Sequence, residues 1–386
     1  MDDFLDVYGL SLNKYGEELC GDKFKVLSTE EATCIVLSDG LGSGVKANIL
    51  ATLTSRIIAT MLKENAPLED VIETVTGTLP TCRSRGIAYA TFTIIDFDHS
   101  TRAFRITNFD NPPVFYFKTG EITPLEEQKE WIHGKEVKFS SGVLQQGDFL
   151  AAISDGVWYA GPGKKYNFGW EWEDIAGYMA TILRGKVRAA QTVVEDVIQH
   201  THDLYGHEPG DDATMVGLLL RPRTRALVFT GPPLHKEMDD HYAQKLLEFK
   251  GRRIICGGTT GEIVARYLGK EIKTVVRSFE EKVPPIGRLE GVHLLTEGIL
   301  TMTQATEYMK AAQGDISSLP NDNDGAVLLA LELLTADEIT FLVGMKVNPF
   351  YQNPLLPESI SIRKNTVEAM AQFLRELHKD VHIEYC

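Results

Sequence analysis

Four aspartates stand in four separate short contexts, each with the texture of a strand end: Gly21 and Asp22; Ser38, Asp39 and Gly40; Ser154, Asp155 and Gly156; and the run Gly210, Asp211, Asp212, Ala213, Thr214. Hard divalent cations take oxygen ligands, and a two-metal hydrolytic centre needs more carboxylates than one local motif can supply. The two Ser-Asp-Gly copies carry the sharpest signal. Each follows an apolar run, residues 34–37 before Asp39 and 149–153 before Asp155, so each carboxylate would leave the end of a buried strand. The glycine beside it lets the backbone turn sharply and come close to a ligand. A turn or a helix cap is the ordinary explanation for one isolated Asp-Gly; two copies in matching contexts reverse that weighting.

The elements that would position these groups can be read from periodicity. After Asp39 a glycine-rich loop, with Gly40, Gly42 and Gly44, leads into a helical pattern that puts Leu50, Leu53, Ile57 and Met61 on one face. Pro67 opens a second helix with Leu68, Val71, Ile72 and Val75 on its apolar side. Residues 86–117 turn β-branched and aromatic, with turn residues at 98–100 and 111–113, and predict an antiparallel meander. Strands are expected over 135–139 and 149–153, helices over 172–183 and 189–204, and a last buried strand over 214–220. Proline and clustered charge at Arg221, Pro222, Arg223, Thr224 and Arg225 mark a boundary, giving domains 1–222 and 226–386. Beyond it, strands over 226–230, 252–256 and 273–277 alternate with helices over 240–249, 262–268 and 365–377, the pattern of a smaller α/β domain.

At 386 residues the chain exceeds a typical single core, and 43% hydrophobic with 24% charged residues is an ordinary globular composition. A net charge of -15 repels nucleic acid and anionic lipid, so neither a nucleic acid nor a membrane is expected as a partner. No stretch is read as approaching the roughly 18 apolar residues of a membrane span. The start, Met1, Asp2, Asp3 and Phe4, lacks the basic and apolar regions of a secretory signal. Cys20, Cys34, Cys82, Cys256 and Cys386 are scattered, with no Cys-x-x-Cys pair, which argues against a disulfide framework or a zinc site. A cytoplasmic location is the expectation.

Residues 1 to about 220 resemble the metal-dependent PPM, or type 2C, serine/threonine phosphatases, specifically the stage II sporulation protein E-like branch. The resemblance is carried by Gly21 and Asp22, by Ser38 to Gly44 leading into a helix, by Ser154, Asp155, Gly156 and Val157, and by Asp211 to Val216, in the family's order and spacing. It implies an α+β fold, an α-β-β-α sandwich of two antiparallel sheets. It also implies two Mn2+ or Mg2+ ions, with Asp39 bridging them, the Gly40 carbonyl on one, Asp155 and Asp211 on the other, and Asp22 beside the ion that Gly40 ligates. Asp39, Asp155 and Asp211 are then the catalytic set, and water activated by the ions attacks phosphoserine or phosphothreonine with no covalent intermediate. Asp212 competes with Asp211 for the last ligand position; the match to the Asp-x-x-Thr pattern favours Asp211. The eukaryotic branch carries a histidine shortly after the first Asp-Gly where this chain has Leu41 and Gly42, and the sporulation branch shares that absence. The implied partner is a phosphorylated bacterial signalling protein, such as an anti-sigma factor antagonist. A catalytically weak adaptor that uses the same fold for partner binding is the alternative.

Other motifs carry less. Ser38 and Ser154 lie outside any Gly-x-Ser-x-Gly and have no histidine in sequence reach, so they read as turn residues. His200, His202 and His207 cluster near Asp211, and solvation of a helix end outweighs a metal role for them. Gly257, Gly258, Thr259 and Thr260 follow a predicted strand and precede a predicted helix, a geometry suited to anion or nucleotide binding by free N–H groups; a tight turn is the competing explanation. The run 321–325 resembles part of a calcium loop but lacks the later glutamate, and reads as the cap of a helix beginning near Ala326.

Overall fold

The computed structural model describes residues 3–64, 66–78, 90–132, 134–161, 169–185, 189–275, 286–322, 324–346 and 359–386. The chain divides into two compact units, Met1–Pro222 and Arg223–Cys386.

The first unit runs β1 (Asp3–Leu12), β2 (Asp22–Ser28), β3 (Ala32–Gly40), α1 (Gly44–Lys63), α2 (Leu68–Thr78), β4 (Ala90–Asp98), β5 (Ala103–Phe109), β6 (Phe115–Lys118), β7 (Glu121–Ile122), β8 (Gln128–Ile132), β9 (Lys135–Val143), β10 (Phe149–Ile153), α3 (Asp155–Trp158), α4 (Trp172–Leu183), α5 (Ala190–Leu204) and β11 (Ala213–Pro222). Two antiparallel sheets result, in the orders β1-β11-β10-β6-β7 and β2-β3-β4-β5-β9-β8. Their inner faces meet in one core, where Leu150, Ala152, Val216 and Leu218 of the first sheet pack on Ile35, Leu37, Ile95 and Ile106 of the second. The outer faces are apolar as well. Phe115, Phe149 and Met215 lie beneath Ile175, Met179, Val193 and Val197 of α4 and α5, and Val36, Phe92 and Ile94 lie beneath Leu50, Ile58, Val71 and Ile72 of α1 and α2. Sheets apolar on both faces must be covered on both, which produces the four-layer α-β-β-α sandwich.

Three details differ from the sequence expectations. The buried residues of α1 are Gly44, Ala47, Leu50, Ala51, Thr54, Ser55, Ile58 and Ala59, with Ile57 and Met61 partly buried against the same core as expected, while Leu53 stays 48% exposed. Small residues win that face because the helix runs against the end of β3: a Cβ on Gly40 would stand 2.1 Å from the Ala47 carbonyl oxygen. The strand-rich stretch is not one meander. β4 pairs with β5, but β6 joins the other sheet beside β10, and residues 86–89 lie outside those described. Thirdly, α1 is long and apolar enough to cross a membrane by length and composition, against the expectation that no stretch approaches a membrane span; eight of its residues are nonetheless buried.

The second unit runs β12 (Arg225–Thr230), α6 (Asp239–Glu248), β13 (Arg252–Cys256), α7 (Gly258–Leu268), β14 (Lys273–Val275), β15 (Ile286–Arg288), β16 (Leu294–Thr296), α8 (Ile299–Ala311), α9 (Gly325–Thr335), β17 (Glu338–Val343), α10 (Ser359–Glu376) and β18 (Asp380–Tyr385). Its sheet has the order β14-β15-β16-β13-β12-β17-β18, and the five strands from β16 to β18 are parallel. Near-continuous apolar strands such as Leu227, Val228 and Phe229 are what a parallel sheet covered on both faces requires. Two helix boundaries are informative. α7 begins at Gly258 rather than Glu262, and α9 begins at Gly325, where Asp324 caps it by accepting from the Val327 N–H at 2.7 Å. That cap accounts for the calcium-like run, of which Asn323 lies outside the described residues.

Candidate metal centre

Strand register brings the first two aspartates together. Asp22 opens β2 and Asp39 is the penultimate residue of β3, and the two are direct partners in the antiparallel pairing, so their side chains share a face. Gly40 follows at the strand end, its N–H donating to the Gly21 carbonyl at 3.2 Å. Asp155 and Asp211 come from the other sheet. Asp155 leaves the end of β10 as the first residue of α3, and Asp211 stands just before β11, the neighbouring strand. Ser154 ties those two ends: its N–H donates to the Thr214 carbonyl at 2.9 Å, and its Oγ accepts from the Thr214 N–H at 2.8 Å.

Asp212 joins the halves. Its Oδ1 accepts from the Lys14 N–H at 3.0 Å, and a Cβ on Gly21 would stand 2.8 Å from its Oδ2. Its own N–H donates to Asp211 Oδ1 at 3.0 Å. One Asp212 oxygen is taken by backbone, while its Oδ2 is buried without a partner, as the Asp22 oxygens are, and the residue is 4% exposed. A neighbour that orients the strand is the role the Asp-x-x-Thr match leaves to Asp212, whereas nothing local in the sequence announces the Tyr205 hydroxyl that donates to the Gly156 carbonyl at 2.8 Å beneath Asp155.

The electrostatics are those of a centre built around positive charge. Burial first, then repulsion from Asp22, Asp155 and Asp211, push the Asp39 carboxyl up to about 10. Asp22 rises to about 7, chiefly by burial, with further upward pushes from Asp212 and Asp155. Asp155 and Asp211 are raised as well, by burial and, for Asp155, by the charge of Asp211. Asp39 lies within repulsive reach of Asp155. Ser154 and Thr214 lie near enough to Asp22 to ease its ionisation, yet neither reaches it as a hydrogen-bond donor: both Asp22 oxygens are buried and without a partner, and Thr214 donates to Ser11 instead. Buried carboxylate oxygens without donors are rare and ask for an external cation.

The donor set is therefore all oxygen, which suits Mg2+ or Mn2+ and not zinc. Asp22, Asp39, Asp155 and Asp211 with the Gly40 carbonyl are the residues that would hold the ions. Cys20 is adjacent, but burial and the Asp22 charge push its thiol up to about 12, so it stays protonated and outside the ligand set. Among the described residues the one group of three whose ligand atoms all lie within 4.8 Å of one another is His202, Asp203 and His207. No three of Asp22, Asp39, Asp155 and Asp211 meet that distance among the described residues. His202 and His207 stand 3.3 Å apart between their Nδ1 atoms at the exposed end of α5, whereas His200 stacks on Tyr178. The cavity lined by Asn108, Pro113, Leu125 and Trp172 includes none of the aspartates.

These shifts set a pH dependence. Carboxyls whose pKa is raised by folding bind more protons folded than unfolded, so stability without metal falls as pH rises. The loss begins above the ordinary value of 3.8 and, for Asp22, is complete above about 7, continuing toward about 10 through Asp39. Thermal melts in EDTA should therefore show Tm decreasing between pH 6 and pH 8, by roughly several degrees. Saturating Mn2+ should raise Tm most at the higher pH. A flat EDTA profile would mean the carboxylates do not interact.

The sandwich and its acidic centre define a phosphatase domain of the PPM class, a class of metal-dependent serine/threonine phosphatases. The chain belongs to the SpoIIE family: the model described as Stage II sporulation protein E (SpoIIE) matches residues 29–221, half of the 386 residues. Among solved structures, the phosphatase domain with a fragment of the regulatory domain of SpoIIE from Bacillus subtilis is similar at 18% identity and a TM-score of 0.48, over 56% of this chain and 63% of that one. The chain thus spans less than two thirds of that structure. The RsbU and RsbW domains of a Mycobacterium tuberculosis protein match at 18% identity and a TM-score of 0.48, over 63% of this chain and 69% of that one. RsbX in complex with magnesium matches at 19% identity and a TM-score of 0.41, over 56% of this chain and 95% of that one. No curated protein sequence matches the chain.

Proposed function

We propose that the first unit hydrolyses phosphoserine or phosphothreonine on a bacterial signalling protein, with Asp39, Asp155 and Asp211 as the catalytic set. The observation that carries this reading is the pair Asp22 and Asp39, facing each other across β2 and β3 with both Asp22 oxygens buried and partnerless, in repulsive reach of Asp155. Two bound Mn2+ or Mg2+ ions would supply the chemistry of lowering the pKa of water and neutralising phosphoryl charge. The chain's own contribution is positional. Asp39 holds the centre from the second sheet, Asp155 and Asp211 from the first, and the Ser154 to Thr214 hydrogen bonds keep the last two at a fixed spacing. No histidine lies beside Asp39, whose neighbours are Gly40, Leu41 and Gly42, so this chain offers no imidazole there to protonate the leaving serine oxygen.

Family membership supports a partner of the anti-sigma factor antagonist kind, a small protein regulated by serine phosphorylation; the relatives named above include RsbU and RsbW domains. The test is phosphate release from such a phosphorylated antagonist and from an unrelated phosphoserine peptide, each with Mn2+ and with EDTA. Release from both in Mn2+, fastest from the antagonist and absent in EDTA, is expected. No release from either in Mn2+ would overturn the enzymatic reading in favour of the adaptor. Equal rates on the two would overturn the partner alone.

A further inference from the structure

Parallel sheets bind ligands at the carboxyl ends of their strands, by preference where the strand order reverses. In the second unit that reversal falls between β12 and β17, and a side chain closes it. Arg363 donates from Nη1 to the Gly344 carbonyl at 2.7 Å, and a Cβ on Gly231 would stand 2.4 Å from the same nitrogen. The neighbouring pair, β13 and β16, ends differently. Cys256 and Thr296 are register partners, and each strand passes through a glycine straight into a helix, Gly257 into α7 and Gly298 into α8.

Gly257 has a φ of 128°, open to glycine alone, and its N–H donates to the Thr296 carbonyl at 2.9 Å, which binds the two turns together. They touch along their glycines: a Cβ on Gly298 would stand 3.6 Å from the Gly257 Cα. Neither helix has a side-chain cap. The first amides of α7 and α8 with partners are those of Gly261 and Met302, bonded to the Gly257 and Gly298 carbonyls. Two sets of free N–H groups, each at the positive end of a helix of eleven or thirteen residues, therefore open side by side.

Two side chains point to what belongs there. Thr260, in the first turn of α7, is 1% exposed, yet its Oγ1 has no hydrogen-bond partner and lies 3.5 Å from where a Gly257 Cβ would be. Glu297, between the two turns, buries its Oε2 with no partner. The hydroxyl and the amides ask for an anion. The carboxylate would repel a bare anion and asks for a donor on the same ligand. A ribose phosphate carries both, with phosphate oxygens for the helix ends and sugar hydroxyls for the glutamate.

We propose that the β13–β16 edge of the second unit is a nucleotide site: the N–H groups of Gly258, Thr259 and Thr260 and the Thr260 hydroxyl take the phosphate, and Glu297 takes a ribose hydroxyl. The test is calorimetric titration of the intact chain with ATP, GTP and NAD+, and separately with inorganic phosphate, in EDTA so that the aspartate centre holds no ion to recruit phosphate. At least one nucleotide should bind at least about tenfold more tightly than phosphate. Its 2′,3′-dideoxy counterpart should bind at least about tenfold more weakly than the parent, and Glu297→Gln should weaken the parent without affecting the dideoxy form. Thr260→Val should weaken every nucleotide about tenfold while leaving the ligand-free Tm unchanged or raised, since it removes a buried hydroxyl that has no partner. The proposal is overturned if none of the three nucleotides binds at millimolar concentration, or if phosphate binds as tightly as the best of them. It is equally overturned if Thr260→Val binds like the native chain, or lowers Tm and affinity together as a packing residue would.

Discussion

Asp39→Asn is expected to lower Mn2+-dependent hydrolysis of p-nitrophenyl phosphate at least about 10³-fold, a loss of roughly 4 kcal/mol in transition-state stabilisation. The size follows from position. Asp39 faces Asp22 across β2 and β3 and feels the charges of Asp155 and Asp211 from the other sheet, so it is the carboxylate on which both halves of the centre act. Asparagine keeps the volume and one acceptor but removes the charge that offsets the ions. The same change should act in the opposite direction on the metal-free fold. The native carboxyl is pushed up to about 10 by burial and three neighbouring aspartates, so at pH 8 it must take up a proton on folding, a cost that neutral asparagine does not carry. Melts in EDTA at pH 8 should show the variant at or above the native Tm, with the Mn2+-induced rise largely gone. Equal, substantial activity in both proteins would remove Asp39 from the catalytic set.

How much of this was legible in the chain depends on whether the signal was local. The ends of β3 and β10 could be read because an apolar run, an aspartate and a glycine are adjacent in sequence, and the α+β class was implied by the family resemblance that these motifs carry. The α1 face was legible only in part: Leu50, Ile57 and Met61 pack on the core as their spacing predicts, but the choice of Ala47 and Ala51 over Leu53 is made by Gly40 across a tertiary contact. β1 escaped for a similar reason: its ten residues alternate weakly, and its stability comes from a full-length pairing with β11 that spans the chain. Asp212 shows the limit within the site itself. The Asp-x-x-Thr match favours Asp211 over it in sequence, but only the Lys14 amide and the Gly21 backbone, roughly two hundred residues earlier, show the different surroundings of the two. In the second unit the helical start at Gly258 was masked by glycines and threonines, which are poor helix formers and good turn formers.

Gly156→Ala should be a strongly damaging single-methyl change near the centre, destabilising the first unit by about 3 kcal/mol or more. The reason is geometric. A Cβ at that position would stand 2.0 Å from the Asp212 carbonyl oxygen and 3.2 Å from the Ala213 Cα, so the obstacle is backbone and not a side chain that could rotate away. Neither partner can retreat cheaply. The Asp212 backbone is tethered through its N–H to Asp211 and its side chain to Lys14, while the Gly156 carbonyl accepts from the buried Tyr205 hydroxyl. Relief must come from parting the end of β10 from the start of β11, which stretches the Ser154 to Thr214 hydrogen bonds and moves Asp155 away from Asp211. The variant should therefore lose both stability and metal affinity. At a temperature where it remains folded, a Mn2+ titration followed by Tm should give a midpoint shifted upward at least about tenfold. Gly177→Ala is the matching control, because a Cβ there meets nothing within 4 Å and α4 tolerates alanine well. Native-like metal binding by Gly156→Ala would show that the spacing between these two strand ends does not govern the centre.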